Sequence, residues 1–195
     1  KIKFYKRPSK LSTDTATNDD FTLDFMKNIE GDLLIQILST SPFITKKQII
    51  NFVKKAKTVN TLISTKEVKI ESIYKNKPIN FDQKAPTPPS QLLEPINAYA
   101  CSLMSWGYKN FIKNIEKYNA GYHGGDGNIE FFKLDGYATV DIDEEQDFQL
   151  AEAIINLENK KPEYYEGNKV YDHNVERVLT QDGVKYNDLY NFNKP

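Results

Sequence analysis

The chain has 195 residues, 26 basic against 27 acidic side chains, a net charge of -1, 39% hydrophobic and 27% charged content. It can bury the core of one ordinary domain, and its balanced charge offers no broad positive field, which argues against a nucleic-acid or anionic-membrane partner. No apolar run approaches the roughly 18 residues of a membrane span, and a lone Cys101 without a signal peptide excludes a disulfide framework and fits a reducing cytoplasm.

The first residues, KIKFY, alternate like a strand. Because Lys1 is not a methionine, the sequence reads as a fragment. After the polar loop KRPSKLSTDTATND, the segment FTLDFMKNIE spaces Phe21, Phe25 and Ile29 as on one helix face. DLLIQIL, 32–38, is apolar on both faces except at Gln36, which predicts an interior parallel strand covered on both sides. STSPF then leads into TKKQIINFVKKAK, a helix with Thr45 as N-cap and its lysines crowding the last turn, where the dipole favours them. TVNTLIS reads as the next strand, giving the β-α-β-α-β rhythm of a parallel α/β sheet flanked by helices.

That rhythm breaks over residues 66–95. KEVKIESIYKNKPINF alternates as one or two exposed strands with a turn near KNKP, and APTPPSQLLEP is too proline-rich for a helix or a central strand. The stretch is an insertion, either a β-arm or a surface loop. INAYACSLM resumes the strand pattern, and WGYKNFIKNIEKY follows as a helix with Tyr108, Phe111, Ile112, Ile115 and Tyr118 on one face. A glycine-rich turn leads to strands at IEFFKL and YATVDID and to a last helix. The pattern fades after residue 161, so the domain is set at 1–161 and the tail at 162–195.

Four places carry chemistry. In a strand Asp141 and Asp143 point the same way, and two carboxylates past a strand's end suit Mg²⁺, which completes its shell with water and substrate phosphates. Asp143 with Gln146 equally fits a capping box, with Glu144 and Glu145 favoured by the helix dipole. Thr40 and Ser41 sit where open α/β sheets place ligands, or form a plain connecting turn. Arg7 on the same rim can meet a carboxylate or phosphate bidentately, or pair with Asp14. HGGDG, 123–127, is an anion nest or a turn. His123, His173 and Cys101 lack metal-ligand or nucleophile spacing.

Taken in order, RPSKLSTDTA, the strand ending STSPF, the proline-rich insertion, INAYACSLM and VDIDEEQDFQLAE resemble the acylneuraminate cytidylyltransferases, the CMP-sialic acid synthetase family. The resemblance covers about residues 3–157. It implies a Rossmann-like nucleotidyltransferase sheet and transfer of CMP from CTP to a nonulosonic, sialic-acid-like sugar acid. It also implies Mg²⁺ on Asp141 and Asp143, with Arg7, Thr40 and Ser41 lining the substrate pocket. The 66–95 insertion would be the dimerisation arm of a homodimer. Leu38 stands where the family has glutamine and Ile44 where it has arginine. The family's glycine- and lysine-containing phosphate loop has no match, so by its layout roughly 60 to 70 residues should precede Lys1. A truncated, non-catalytic dimerising scaffold is the rival reading.

Overall fold

The computed structural model describes residues 2–158, and the boundary between two compact units falls after Asp147. The first unit holds α1 (Asn18–Asn28), β1 (Leu33–Ile37), α2 (Lys46–Ala56), β2 (Thr61–Val68), β3 (Ile73–Tyr74), β4 (Lys77–Pro78), β5 (Ile96–Gly107), α3 (Tyr108–Tyr118) and β6 (Ile129–Lys133). Helix α4 (Glu145–Glu158) starts in this unit and continues into the second. The tail expected at 162–195 and His173 lie outside the described residues.

Four strands form one sheet in the order β1-β5-β2-β6. β5 runs antiparallel to both β1 and β2, while β6 runs parallel to β2, so three of the four strands point the same way. The α/β expectation therefore holds as a mixed sheet. Helix α2 packs one face, where Phe52 and Ala56 meet Leu62, Leu103 and Leu134. On the other face Met26 of α1 and Tyr108 and Phe111 of α3 bury Ile63, Met104 and Trp106. Each of these side chains removes apolar surface from water at about 25 cal/mol per Å².

Local chemistry sets the helix starts. Thr45 and Gln48 form a reciprocal capping box on α2, as the sequence predicts. Thr17 and Asp20 do the same on α1, which begins three residues before the predicted segment because the cap, not the apolar spacing, fixes the first turn. Thr22 and Met26 are the buried positions of α1, so Phe21, Phe25 and Ile29 do not form its core face.

Three expected strands differ. The expected strand at KIKFY does not form over residues 2–5: they have no partner strand among the described residues, and Ile2 and Phe4 are exposed. Only its end docks, the Tyr5 hydroxyl donating to Asp24 at 2.5 Å. β1 is not interior but ends the described sheet, since β5 rather than a parallel neighbour pairs with it. YATVDID forms a short 3-10 turn, Gly136–Thr139, followed by extended chain. The left-handed Gly136, at φ 56°, turns the chain after β6, and Ser102 Oγ then takes the Ala138 carbonyl at 3.2 Å.

The insertion holds a small hairpin of β3 and β4. Lys75 and Asn76 both adopt positive φ, the geometry of a two-residue hairpin turn that matches the twist of the strands. Asn80 closes its base, donating to the carbonyls of Ile70 and Glu94 at 2.9 Å and accepting from Ser72 N–H at 2.9 Å. Among the described residues no helix is long and apolar enough to cross a membrane.

Candidate active site

The candidate site forms where two distant loops meet at the carboxyl end of β1. The strand pairing runs on past Ile37, with Leu38 N–H donating to the Ser102 carbonyl at 3.1 Å. The chain then turns tightly, Ser41 N–H bonding the Leu38 carbonyl at 3.3 Å. Next to this turn lies the segment that follows Ala138. Ile142 N–H donates to the Thr40 carbonyl at 2.9 Å, and Ser41 Oγ donates a long bond to Asp141 Oδ1 at 3.4 Å. Ser41 is buried, Thr40 and Asp141 are half-buried, and Asp143 is exposed.

Ser102, which the sequence reading did not single out, joins the two loops. Its carbonyl holds Leu38, while its buried hydroxyl reaches the Ala100 carbonyl at 3.1 Å and the Ala138 carbonyl at 3.2 Å. A serine in an apolar strand is the only signal available, and nothing local says which carbonyl it will meet. The same part of β5 is irregular. Its pairing with β2 shifts between Ile63 and Thr65, and Cys101 takes a left-handed conformation at φ 56°. Such bulges re-aim side chains at the cost of ladder hydrogen bonds.

Cys101 reports on the charge around it. Burial first, then the Asp141 and Asp143 carboxylates, push its thiol pKa up, which keeps this half-buried thiol neutral.

The cap reading falls to a different residue. Asp147 Oδ2 accepts the N–H groups of Asp143 and Glu144 at 3.1 and 3.0 Å, closing the first turn of α4 in place of the expected Asp143 and Gln146 pair. The Asp143 side chain therefore makes none of these bonds and stays available to a ligand.

A metal would have few protein ligands here. Among the described residues no group of three or more histidine, cysteine or acidic side chains is placed to hold one. Two oxygen donors on a half-exposed rim match Mg²⁺, which keeps water and substrate phosphates in its remaining positions, and they do not match a closed zinc site.

Arg7 is not brought to the acids. It is exposed, stacks its guanidinium 4.3 Å above the Phe21 ring and forms no ion pair with Asp14. It lines a groove of about 390 Å³ between α1 and β1, with Phe21, Thr22, Phe25, Gln36 and Ile37. Gln36 thus borders the Arg7 groove. Ile44 packs against the core beside α2.

The HGGDG segment is a turn. Asn114 Oδ1 accepts Asp126 N–H at 2.9 Å, Asn114 Nδ2 reaches the carbonyls of Gly124 and Asp126 at 2.7 and 3.1 Å, and Gly124 N–H bonds the Gly121 carbonyl at 2.9 Å. His123 sits between the rings of Tyr99 and Tyr122, with centroids 5.7 and 5.3 Å away.

No protein-family model matches the chain, and no curated protein sequence matches it. Solved structures do. The 4-diphosphocytidyl-2C-methyl-D-erythritol synthase of Anaerococcus prevotii aligns with a TM-score of 0.54 at 14% identity, over 73% of this chain and 68% of that one. The bifunctional IspDF of Campylobacter jejuni aligns at 0.51 and 9% identity, over 72% of this chain and 38% of that one. The chain shares their nucleotidyltransferase fold. That agrees with the architecture expected from the motifs, whereas the sialic-acid-like acceptor rests on the motif resemblance alone.

Proposed function

We propose that the protein transfers a cytidylyl group from CTP to a sugar-derived acceptor. The observation that carries this reading is the pairing of the Thr40–Ser41 turn with Asp141 at the end of β1, in a fold shared with a synthase whose product is a diphosphocytidyl polyol. In such a transfer an acceptor oxygen bonds to the α-phosphorus, the bond to the bridging oxygen of the β-phosphate breaks, and pyrophosphate leaves. Charge builds on the phosphoryl oxygens, so positioning and neutralisation do most of the catalysis.

Asp141 and Asp143 hold Mg²⁺ in this reading, and the ion supplies the charge neutralisation. The half-buried Asp141 is oriented by Ser41, while the exposed Asp143 meets the incoming nucleotide's metal shell. The Ser41 hydroxyl fixes one carboxylate oxygen and leaves the other for the ligand. Thr40 lends its side chain to the pocket edge, its carbonyl being engaged by Ile142. Arg7 takes an acidic group of a substrate long enough to reach the α1 groove.

For the acceptor we favour a nonulosonic acid, on the order of motifs from RPSKLSTDTA to VDIDEEQDFQLAE. The named neighbour offers a second acceptor class, a methylerythritol-type polyol phosphate. The 66–95 insertion serves as the arm of a homodimer, and its exposed Ile73 and Tyr74 supply apolar contact. The scaffold reading draws on Ile44, which fills the core beside α2 where the resembling family has a cation.

The test is pyrophosphate release from CTP and Mg²⁺ with panels of sugar acids and polyol phosphates. Turnover with a member of either panel that Asp141→Asn removes supports the reading and selects the acceptor class. If CTP also fails to bind in calorimetry with Mg²⁺ present, the scaffold reading replaces it.

A further inference from the structure

The base of the 66–95 insertion holds a groove of about 330 Å³ that the transfer reaction does not use. Phe81, Pro86, Pro88 and Leu92 give it apolar walls. Glu71, Asp82 and Glu94 line it as well, and among the described residues no lysine or arginine does. All three acids are exposed, and none forms an ion pair among the described residues. Asn80 sets the shape, because its bonds to Ile70, Ser72 and Glu94 clamp the hairpin base to the chain returning from the proline-rich stretch.

The groove selects its occupant by side-chain chemistry. Proline has no N–H to donate, so the wall at Pro86 and Pro88 offers no backbone donors there. What fits is a segment with apolar surface for the walls, cations for the acids and no acid of its own. The hairpin tip has that composition. Residues 73–78, IYKNKP, carry two lysines and no acid. Ile73 is 64% and Tyr74 63% exposed, and Lys75 Nζ lies 5.1 Å from the Tyr74 ring centroid, so charge and aromatic surface are presented together. An apolar cluster left open on a soluble chain marks a contact site.

The tip cannot reach its own groove. The hairpin is closed from the Ile79 N–H bond to the Ser72 carbonyl, at 2.9 Å, out to the turn at Lys75 and Asn76. Three residues of strand span about 10 Å, which holds the tip away from the base that borders the groove.

We propose that the hairpin tip seats in this groove on a second copy of the chain, Tyr74 against the prolines and Lys75 and Lys77 against the three carboxylates. Two insertions lying side by side in opposite directions make the contact twice, each tip on the other's base, which is the self-complementary arrangement of a two-fold dimer. This rests on the homodimer reading of the insertion and names the contact that forms it.

Sedimentation velocity on the whole chain tests this, with two charge-reversed variants. One carries Lys75→Glu and Lys77→Glu in the tip, the other Glu71→Lys and Glu94→Lys in the groove. The wild type should form a reversible dimer, and each variant alone should associate about tenfold or more weakly, because like charges then face one another. Mixing the two variants should restore a dimer, since each tip then meets a groove of opposite charge, an outcome that misfolding cannot produce. A mixture that stays monomeric overturns the inference. A wild-type dimer that neither variant weakens, but that Tyr74→Ser does, also overturns it while leaving the insertion as the dimer arm. A wild-type monomer at every concentration removes both.

Discussion

The hydroxyl of Ser41 donates to Asp141 across 3.4 Å, joining two residues one hundred positions apart in sequence. The bond is longer than a typical hydroxyl hydrogen bond. It therefore orients the carboxylate without satisfying it, which suits a group kept for a cation. Asp141→Asn keeps the shape and removes the charge. We expect transfer to fall about 10²–10³-fold, the usual cost of losing one electrostatic stabiliser, with an unchanged melting temperature. Retained turnover would take the metal role away from Asp141.

Capping and metal binding can be separated at the start of α4. Asp147 accepts two backbone N–H groups and Asp143 accepts neither. Asp147→Ala should destabilise the protein by about 1 kcal/mol, as lost caps do. Asp143→Asn should leave urea stability unchanged and weaken Mg²⁺-dependent CTP binding. The reverse pattern would return Asp143 to a purely structural role.

Ser102 is expected to matter twice. Ser102→Ala leaves the buried carbonyls of Ala100 and Ala138 without their hydroxyl donor. A cost of about 1–3 kcal/mol follows from stranding buried acceptors, readable in urea melts. Because the hydroxyl also ties the Asp141 loop to β5, CTP turnover should fall in the folded variant. Full activity would show that the loop holds its place without this bond.

The glycine turn after α3 is a stability element. A Cβ on Gly125 would stand 2.6 Å from the Asn114 amide, and its φ of 51° favours glycine. Gly125→Ala should lower stability through both strain and the Asn114 bonds. Asn114→Ala, which strands the groups it holds, should cost about 2–3 kcal/mol. Melting temperatures near wild type in both would mean that the loop rebonds to water.

Alkaline pH offers a check on the aromatic core. Burial first, helped by nearby Cys101, Tyr99 and Asp19, pushes the Tyr122 pKa up to about 12 from an ordinary value near 10. The folded protein then holds this proton where the unfolded chain has lost it. Its contribution is present in full below about pH 10 and disappears as pH rises toward 12. Tyr122→Phe should show a shallower loss of stability over that window in pH-dependent urea melts. An equal slope in both proteins would place Tyr122 in contact with water.

Much of the architecture was legible because it is local. The Thr45 cap of α2 and the KNKP turn of the insertion each depend on residues within a few positions, and both stand as read. Helix α3 forms as expected but starts at Tyr108, and its buried face takes in Asn114 while Tyr118 is left half exposed. The run LLIQI announced a strand but not its place. A strand apolar on both faces can be interior or an unguarded edge, and only pairing with β5 decides between them. KIKFY shows the same point in reverse, since alternation without a partner makes no strand.

The chemistry divides in the same way. The sequence by itself determined which acids, hydroxyls and cation were available, because residue type fixes what each can bind. Only the tertiary structure decided which of them meet. Thr40, Ser41 and Asp141 come together through β5 and Ser102, while Arg7 is drawn into the α1 groove by the face of Phe21. Backbone carbonyls carry no sequence signature, so a site assembled through them is set by packing.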